Sequence, residues 1–299
     1  MNEITFNNAG ITMAGNVYPL AGFDENASYP AIVSIHPGGG VKEQTAGQYA
    51  ERLASQGYVT LAFDASHQGA SGGEPRRLDV PTNRVDDTFA AIDYLTTLSY
   101  VDNDRIGALG ICTGGGIAVK ASSLDRRIKA LATVSGIDVG ASFRDGWDGT
   151  ATVADQLATL DNLAGLRTAQ AAGGDPVYGT YVLELGDTTA PRDLQEAAEY
   201  YLTDRGQHVN APNTLLLSSA TDVIGFHAFD QADTLLTQPL LIVAGSDAGS
   251  LWQSVNLDEK AAGPHEFVVL DGETHVSLYD GAGQDKALEK VIPFFAANL

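Results

Sequence analysis

The sequence offers one cysteine, six histidines and a cluster of glycines as candidates for chemistry. The cysteine, Cys112, lies in GALGICTGGGIAVK (107–120), with glycines at 110, 114, 115 and 116. Glycines packed around one thiol mark a backbone that turns tightly or that a ligand approaches closely. Gly110-Ile111-Cys112-Thr113-Gly114 fits G-x-C-x-G, the nucleophile-elbow pattern with cysteine in place of serine. In that pattern a strained strand-to-helix turn points one side chain outward. The helix N–H groups beside it favour the thiolate, which is the reactive form. Two other readings stand beside this one. A glycine-rich loop after a strand can cradle phosphate, but neither G-x-x-x-x-G-K-[ST] nor G-x-G-x-x-G is matched. A free cysteine can also be an apolar filler of the core. The histidines, at 36, 67, 208, 227, 265 and 275, include no pair four residues apart. With a single cysteine as well, the spacing argues against a metal site.

These residues need elements to position them. The start reads as a hairpin: EITF, a turn over 7–10, then ITMAGNVY. Short apolar, β-branched runs follow at 31–36, 58–63, 105–110, 129–134, 240–244 and 266–270. Between them Ala46, Tyr49, Ala50 and Leu53 share one helix face, as do Val85, Phe89, Ile92 and Leu95. A last helix begins near Gln284, with Pro293 as a possible kink. Strand and helix alternate over 30–135 and again after 238, and the strands lack strict polar alternation. That pattern predicts a mostly parallel sheet covered by helices on both faces, with antiparallel strands at one edge. Between 138 and 238 the rhythm breaks, and a gap of that length far exceeds an ordinary loop. TVADQLATLDNLAGLRTAQ and PRDLQEAAEYYLTDRG look helical, while DPVYGTYVLEL is ambiguous. The expected organisation is a core of 1–137 and 239–299 with an inserted, mainly helical cap at 138–238. A second independent domain is the alternative.

Composition narrows the function classes. The chain has 299 residues, 44% of them hydrophobic, enough for a large core. The formal net charge is −21, from 38 acidic against 17 basic residues, and no basic run occurs. Such a surface disfavours nucleic acid and anionic lipid as partners. No apolar run reaches the ~18 residues needed to span a bilayer. The N-terminus lacks the basic and apolar regions of a secretory signal, and one cysteine forms no internal disulfide, so a cytoplasmic location is expected.

The sequence resembles the α/β-hydrolase superfamily, in particular its dienelactone hydrolase-like branch with a cysteine elbow. It is also similar to the related fungal polyketide transferases and thiohydrolases. The residues that carry the likeness are HPGGGVKEQTAG (36–47), FDASHQGASGGEPR (63–76), GICTGGG (110–116) and GETHVSLYD (272–280). The resemblance implies Cys112 as nucleophile and His275, in the loop after the last strand, as base. It implies an acid after the strand at 240–244. Asp247 is the candidate, although the family spacing G-x-x-D counted from Gly245 falls on Ala248. Asp138 is the alternative; Asp64, Asp86 or a Cys–His pair without an acid complete the choices. An oxyanion hole would combine the N–H of Thr113 with that of Gly38 or Gly39, since Pro37 has none. His36 and His67 follow strands and are expected to make structural or substrate contacts. Trp147 and Tyr181, with other aromatic residues of the insert, are candidates to line an acyl pocket.

The expected activity is hydrolysis of an ester, lactone or thioester of a small-molecule acyl substrate through a cysteinyl acyl-enzyme, without a cofactor. Acyl transfer of the polyketide transferase type is the first alternative. A non-catalytic ligand-binding relative is the second. Oligomeric state is not legible.

Overall fold

The strands form where the apolar runs predict them. In the computed structural model, which describes residues 1–20 and 22–299, the N-terminal hairpin is β1 (Asn2–Asn8) and β2 (Ile11–Tyr18). The alternating region follows as β3 (Tyr29–Ile35), α1 (Thr45–Ala54), β4 (Val59–Phe63), α2 (Pro81–Thr96), β5 (Val101–Ile111), α3 (Thr113–Leu124) and β6 (Ile128–Val134). After a long connection the sheet resumes with β9 (Leu240–Gly245), α9 (Leu251–Lys260), β10 (His265–Leu270) and α10 (Gly281–Asn298). Eight of the strands make one sheet in the order β1-β2-β4-β3-β5-β6-β9-β10. β1 and β2 run antiparallel at one edge, and β4, β3, β5, β6, β9 and β10 are parallel.

Helices cover both faces, so every residue of β4 and of β9 is buried. This is why these strands read as unbroken apolar runs. The anticipated faces of the covering helices are also inward. Ala46, Tyr49, Ala50 and Leu53 of α1 are buried, as are Val85, Ile92 and Leu95 of α2. Phe89 packs on the core only partly buried.

The chain leaves β3 toward β4 on one side and reaches β5 on the other. The loops after β3 and β5 therefore diverge at a crevice beyond the strands' carboxyl ends, where open α/β sheets hold ligands. Cys112 lies at this point.

The connection between β6 and β9 holds α4 (Val139–Asp145), α5 (Val153–Ala171), α6 (Arg192–Leu202), α7 (Ala220–Gly225) and α8 (Ala232–Leu235). The ambiguous DPVYGTYVLEL stretch contributes only β7 (Tyr178–Gly179), paired antiparallel with β8 (Leu215–Leu216). Of the residues of α5 only Leu163 is buried, while Val153 and Leu157 are exposed. Among the described residues no helix is long and apolar enough to cross a membrane.

Candidate active site

The elbow begins with the backbone of Cys112, at φ 54° and ψ −123°. A non-glycine residue in this region carries about 1–3 kcal/mol of strain and persists only when its surroundings hold it. Three hydrogen bonds do so. Cys112 N–H donates to the Val134 carbonyl at 3.1 Å, and its own carbonyl accepts from Gly115 at 2.8 Å and Ile137 at 3.0 Å. The neighbouring glycines answer to close approach. A Cβ on Gly114 would lie 2.1 Å from the Ile35 carbonyl oxygen, and one on Gly110 would lie 2.2 Å from that of Gly114. The start of α3 thus presses directly onto the end of β3, leaving the thiol at the helix N-terminus.

Cys112, Thr113, Gly38 and His275 meet on one cavity of about 310 Å³. A Cβ on Gly38 would stand 3.0 Å from Thr113 Oγ1, so the two candidate oxyanion loops touch. Gly39, at φ 67°, is covered by the ring of Tyr181, whose Cδ2 would be 2.5 Å from an added Cβ. Gly38 therefore faces the cavity and Gly39 lies beneath the tyrosine. Trp147 and Tyr181 stand on the cavity wall.

His275 is held at several points. Its carbonyl accepts from Ser135 Oγ at 2.9 Å, and its N–H donates to Asp193 Oδ1 at 3.2 Å. On the ring, Nδ1 pairs with Ser250 Oγ at 2.6 Å and Nε2 with the Tyr279 hydroxyl at 3.2 Å. Trp147 meets the imidazole edge-on, with centroids 4.8 Å apart. Burial alone would raise the Cys112 thiol pKa. His275, through charge and hydrogen bonding, outweighs it together with the Tyr279 hydroxyl and the Thr113 N–H, and the value falls to about 7. A thiol of this kind is substantially ionised near neutrality.

The acid expected at Asp247 is not brought to this imidazole. The Asp247 side chain is half exposed, accepts from Ser246 Oγ at 3.0 Å and lies 3.7 Å from Arg192. Its N–H bonds to the Glu273 carbonyl, which fixes the carboxylate on the solvent side of the turn. The hydroxyl of Ser250, three residues later, occupies the place at Nδ1. Although Ser250 precedes α9, its side chain makes no capping bond and is given to His275 instead. Asp138 is engaged elsewhere: it caps α4 through Ala141 N–H and accepts from Ala228 N–H. Asp64 holds the backbone of Lys42 and Ala70, and Asp86 is exposed.

Of the structural or substrate contacts expected of His36 and His67, the structure shows structural ones, and neither ring lines the cavity. His36 is buried off the cavity. Its Nε2 accepts from Ala65 N–H at 3.1 Å, its Nδ1 faces the Pro37 carbonyl at 2.7 Å, and burial followed by the Arg84 charge lowers its pKa to about 3. It ties the β3 loop to the β4 loop as a neutral ring. His67, at φ 66°, points Nδ1 at the Pro75 carbonyl and does not line the cavity either.

Sequence reasoning missed Ser250, Tyr279, Asp193 and Asp79. Tyr279 carried a signal, being one helical turn after His275. Asp193 carried none, since it belongs to α6 and reaches the site only through the tertiary fold. It accepts from Trp147 Nε1 at 3.0 Å and Gly249 N–H at 2.6 Å, besides His275 N–H. Glu196, one turn on, accepts from Thr274 Oγ1.

The dienelactone hydrolase family model matches residues 19–172, which is half of the chain and includes the elbow. The chain belongs to the dienelactone hydrolase family. Family membership accords with the parallel sheet and with the α/β hydrolases whose solved structures superpose on nearly the whole chain. The uncharacterized protein YcjY of Escherichia coli is 45% identical, covering 100% of this chain and 99% of its own. The crystal structure of hypothetical protein PA2218 from Pseudomonas aeruginosa superposes with a TM-score of 0.91 at 33% identity, covering 100% of this chain and 93% of that one. Polyketide transferase claH of Penicillium crustosum is 25% identical, covering 97% and 94%.

Proposed function

We propose that this hydrolase-family chain cleaves a carboxylic ester, lactone or thioester through a thioester formed on Cys112. The observation that carries this reading is the thiol on a strained elbow, brought to about 7, beside His275 in a cavity. Cys112 Sγ attacks the acyl carbonyl, and His275 Nε2 takes the thiol proton. The oxyanion is met by the N–H groups of Thr113 and Gly38. As the tetrahedral intermediate collapses, His275 returns the proton to the departing alkoxide or thiolate, which leaves as the alcohol or thiol. Water then attacks the thioester, giving its proton to His275 and releasing the acid and the thiol. In this reading Ser250, rather than Asp247, orients the imidazole. Residues 138–238 act as a cap over the core of 1–137 and 239–299, and Trp147 and Tyr181 shape the pocket. No step calls for a cofactor.

The test is intact-mass spectrometry after mixing with an activated ester such as p-nitrophenyl acetate. An acetyl adduct on Cys112, absent from Cys112→Ala, supports the reading; turnover retained by Cys112→Ala overturns it. A thioester can also pass its acyl group to an alcohol or amine, and the likeness to a protein named polyketide transferase favours this second reading. Product partitioning with added alcohols separates transfer from hydrolysis.

A further inference from the structure

The wall of the cavity away from His275 carries a second carboxylate that the chemistry above does not use. Asp79 lines the cavity and is 3% exposed. Its N–H donates to Ser219 Oγ at 3.2 Å, and its Oδ2 accepts from the Tyr181 hydroxyl at 2.8 Å. Its Oδ1 is buried without a hydrogen-bond partner among the described residues. A buried carboxylate oxygen left without a donor is costly, and a ligand that supplies the donor removes that cost. Asp193, the other carboxylate on the cavity, differs: both its oxygens are taken by N–H groups of the protein.

We infer that Asp79 Oδ1 is the acceptor for a hydroxyl group on the acyl portion of the substrate. The position argues for the acyl side. The Tyr181 side chain lies on Gly38 and Gly39 at one end and reaches Asp79 at the other, so the carboxylate stands one tyrosyl side chain from the oxyanion loop. The leaving group must face His275 to receive its proton, and His275 is flanked instead by Trp147 and Tyr279. The neighbouring charge argues for a neutral donor over an ammonium. Burial first, then Asp79, hold the Tyr181 hydroxyl well above its usual range, and the Arg84 guanidinium acts on it in the opposite direction. Arg84 is 2% exposed and its Nη2 donates to the His36 carbonyl at 2.5 Å, two residues before Gly38, so a buried cation already stands beside the oxyanion loop. A hydroxyl satisfies Oδ1 without adding a second one. Hydroxyacyl esters and thioesters are therefore the preferred substrate class.

This inference rests on the acyl-enzyme reading for turnover but not for binding, and the test separates the two. N-acetylcysteamine thioesters of hexanoic, 3-hydroxyhexanoic, 6-hydroxyhexanoic and 3-oxohexanoic acids are compared by kcat/KM. The corresponding methyl esters are titrated calorimetrically into the Cys112→Ala protein. At least one hydroxyacyl chain should exceed hexanoyl by about tenfold or more in both measurements, because a site built around a hydroxyl rejects its deoxy analogue. The oxo chain, an acceptor only, should gain nothing. In Asp79→Ala the hydroxyl-to-deoxy ratio should fall to about one, and Tyr181→Phe, which keeps the ring and frees Oδ2, should retain the preference. Equal use of all four chains by the wild type, as expected if water satisfies Oδ1, overturns the inference. So does a preference unchanged in Asp79→Ala, or one carried only by a hydroxyl in the leaving group. Absence of turnover with any chain would instead overturn the acyl-enzyme reading, while the calorimetric ratios still judge Asp79.

Discussion

Removing His275 should move the ionisation of Cys112, and the size of the movement follows from the site. Burial raises the thiol pKa, and His275 contributes the largest opposing effect, bringing it from an ordinary 9.0 to about 7. At pH 7 the thiolate fraction is then roughly one half, against roughly 1% for an unperturbed thiol. Each thiolate is intrinsically less nucleophilic by about tenfold, for a Brønsted slope of ~0.4–0.5 over the same interval. The net gain in alkylation rate is about fivefold at pH 7 and about tenfold at pH 6, and it reverses above about pH 8. The assay is iodoacetamide modification from pH 5 to 10, read by intact mass. The limited exposure of the thiol scales the whole curve without moving its inflection. The wild-type rate should rise with an inflection near pH 7. In His275→Ala burial is opposed far less, so the inflection should move to pH 9 or above. Circular dichroism establishes that the variant is folded. A wild-type inflection near 8.5–9, or one in His275→Ala that stays near 7, would refute the assignment of the imidazole as the cause.

Other outcomes follow from the same geometry. Ser250→Ala should lower kcat by about 10- to 100-fold by freeing Nδ1, whereas Asp247→Asn, at a half-exposed side chain remote from the ring, should stay within about twofold; steady-state kinetics on an activated ester compares them. Gly114→Ala should cost about 3 kcal/mol or more, or prevent folding, because its Cβ meets the Ile35 carbonyl. Gly165→Ala, in the interior of α5 with nothing within 4 Å, should stabilise by roughly 0.5–1 kcal/mol. Thermal melts read both. His36 has a folded pKa of about 3, below its unfolded value, so its stabilising effect is full above pH ~6.5 and is lost as pH falls toward 3. Urea midpoints should fall across that window in the wild type and fall less steeply, by about one proton, in His36→Gln.

Much of the fold was legible because both kinds of signal were local. The apolar runs of β3, β4 and β5 could be buried only between helices, and the glycines around Cys112 marked a tight turn or a close approach, which in the structure is contact with neighbouring backbone. His275 was legible from its place after the last strand. The partner of its Nδ1 was not, because the family spacing directs attention to carboxylates. The turn after β9 turns Asp247 outward and brings a serine inward, and only the fold of that turn distinguishes the two. For His36 and His67 the sequence left structural and substrate contacts open, because a loop histidine at the end of a strand serves the backbone as readily as a ligand. The contributions of Asp79 and Asp193 depend on chain segments 46 to 140 residues apart in sequence, a relation that no periodicity records.

The bonds from α6 to the His275 loop bear on how the protein works in time. Asp193 holds His275 N–H and Gly249 N–H, and Glu196 holds Thr274. A motion that lifts α6 to admit or release a bulky molecule strips these acceptors from the loop that carries the imidazole. The insert and the base are thus coupled: the placement of the loop that carries the imidazole depends on where α6 sits.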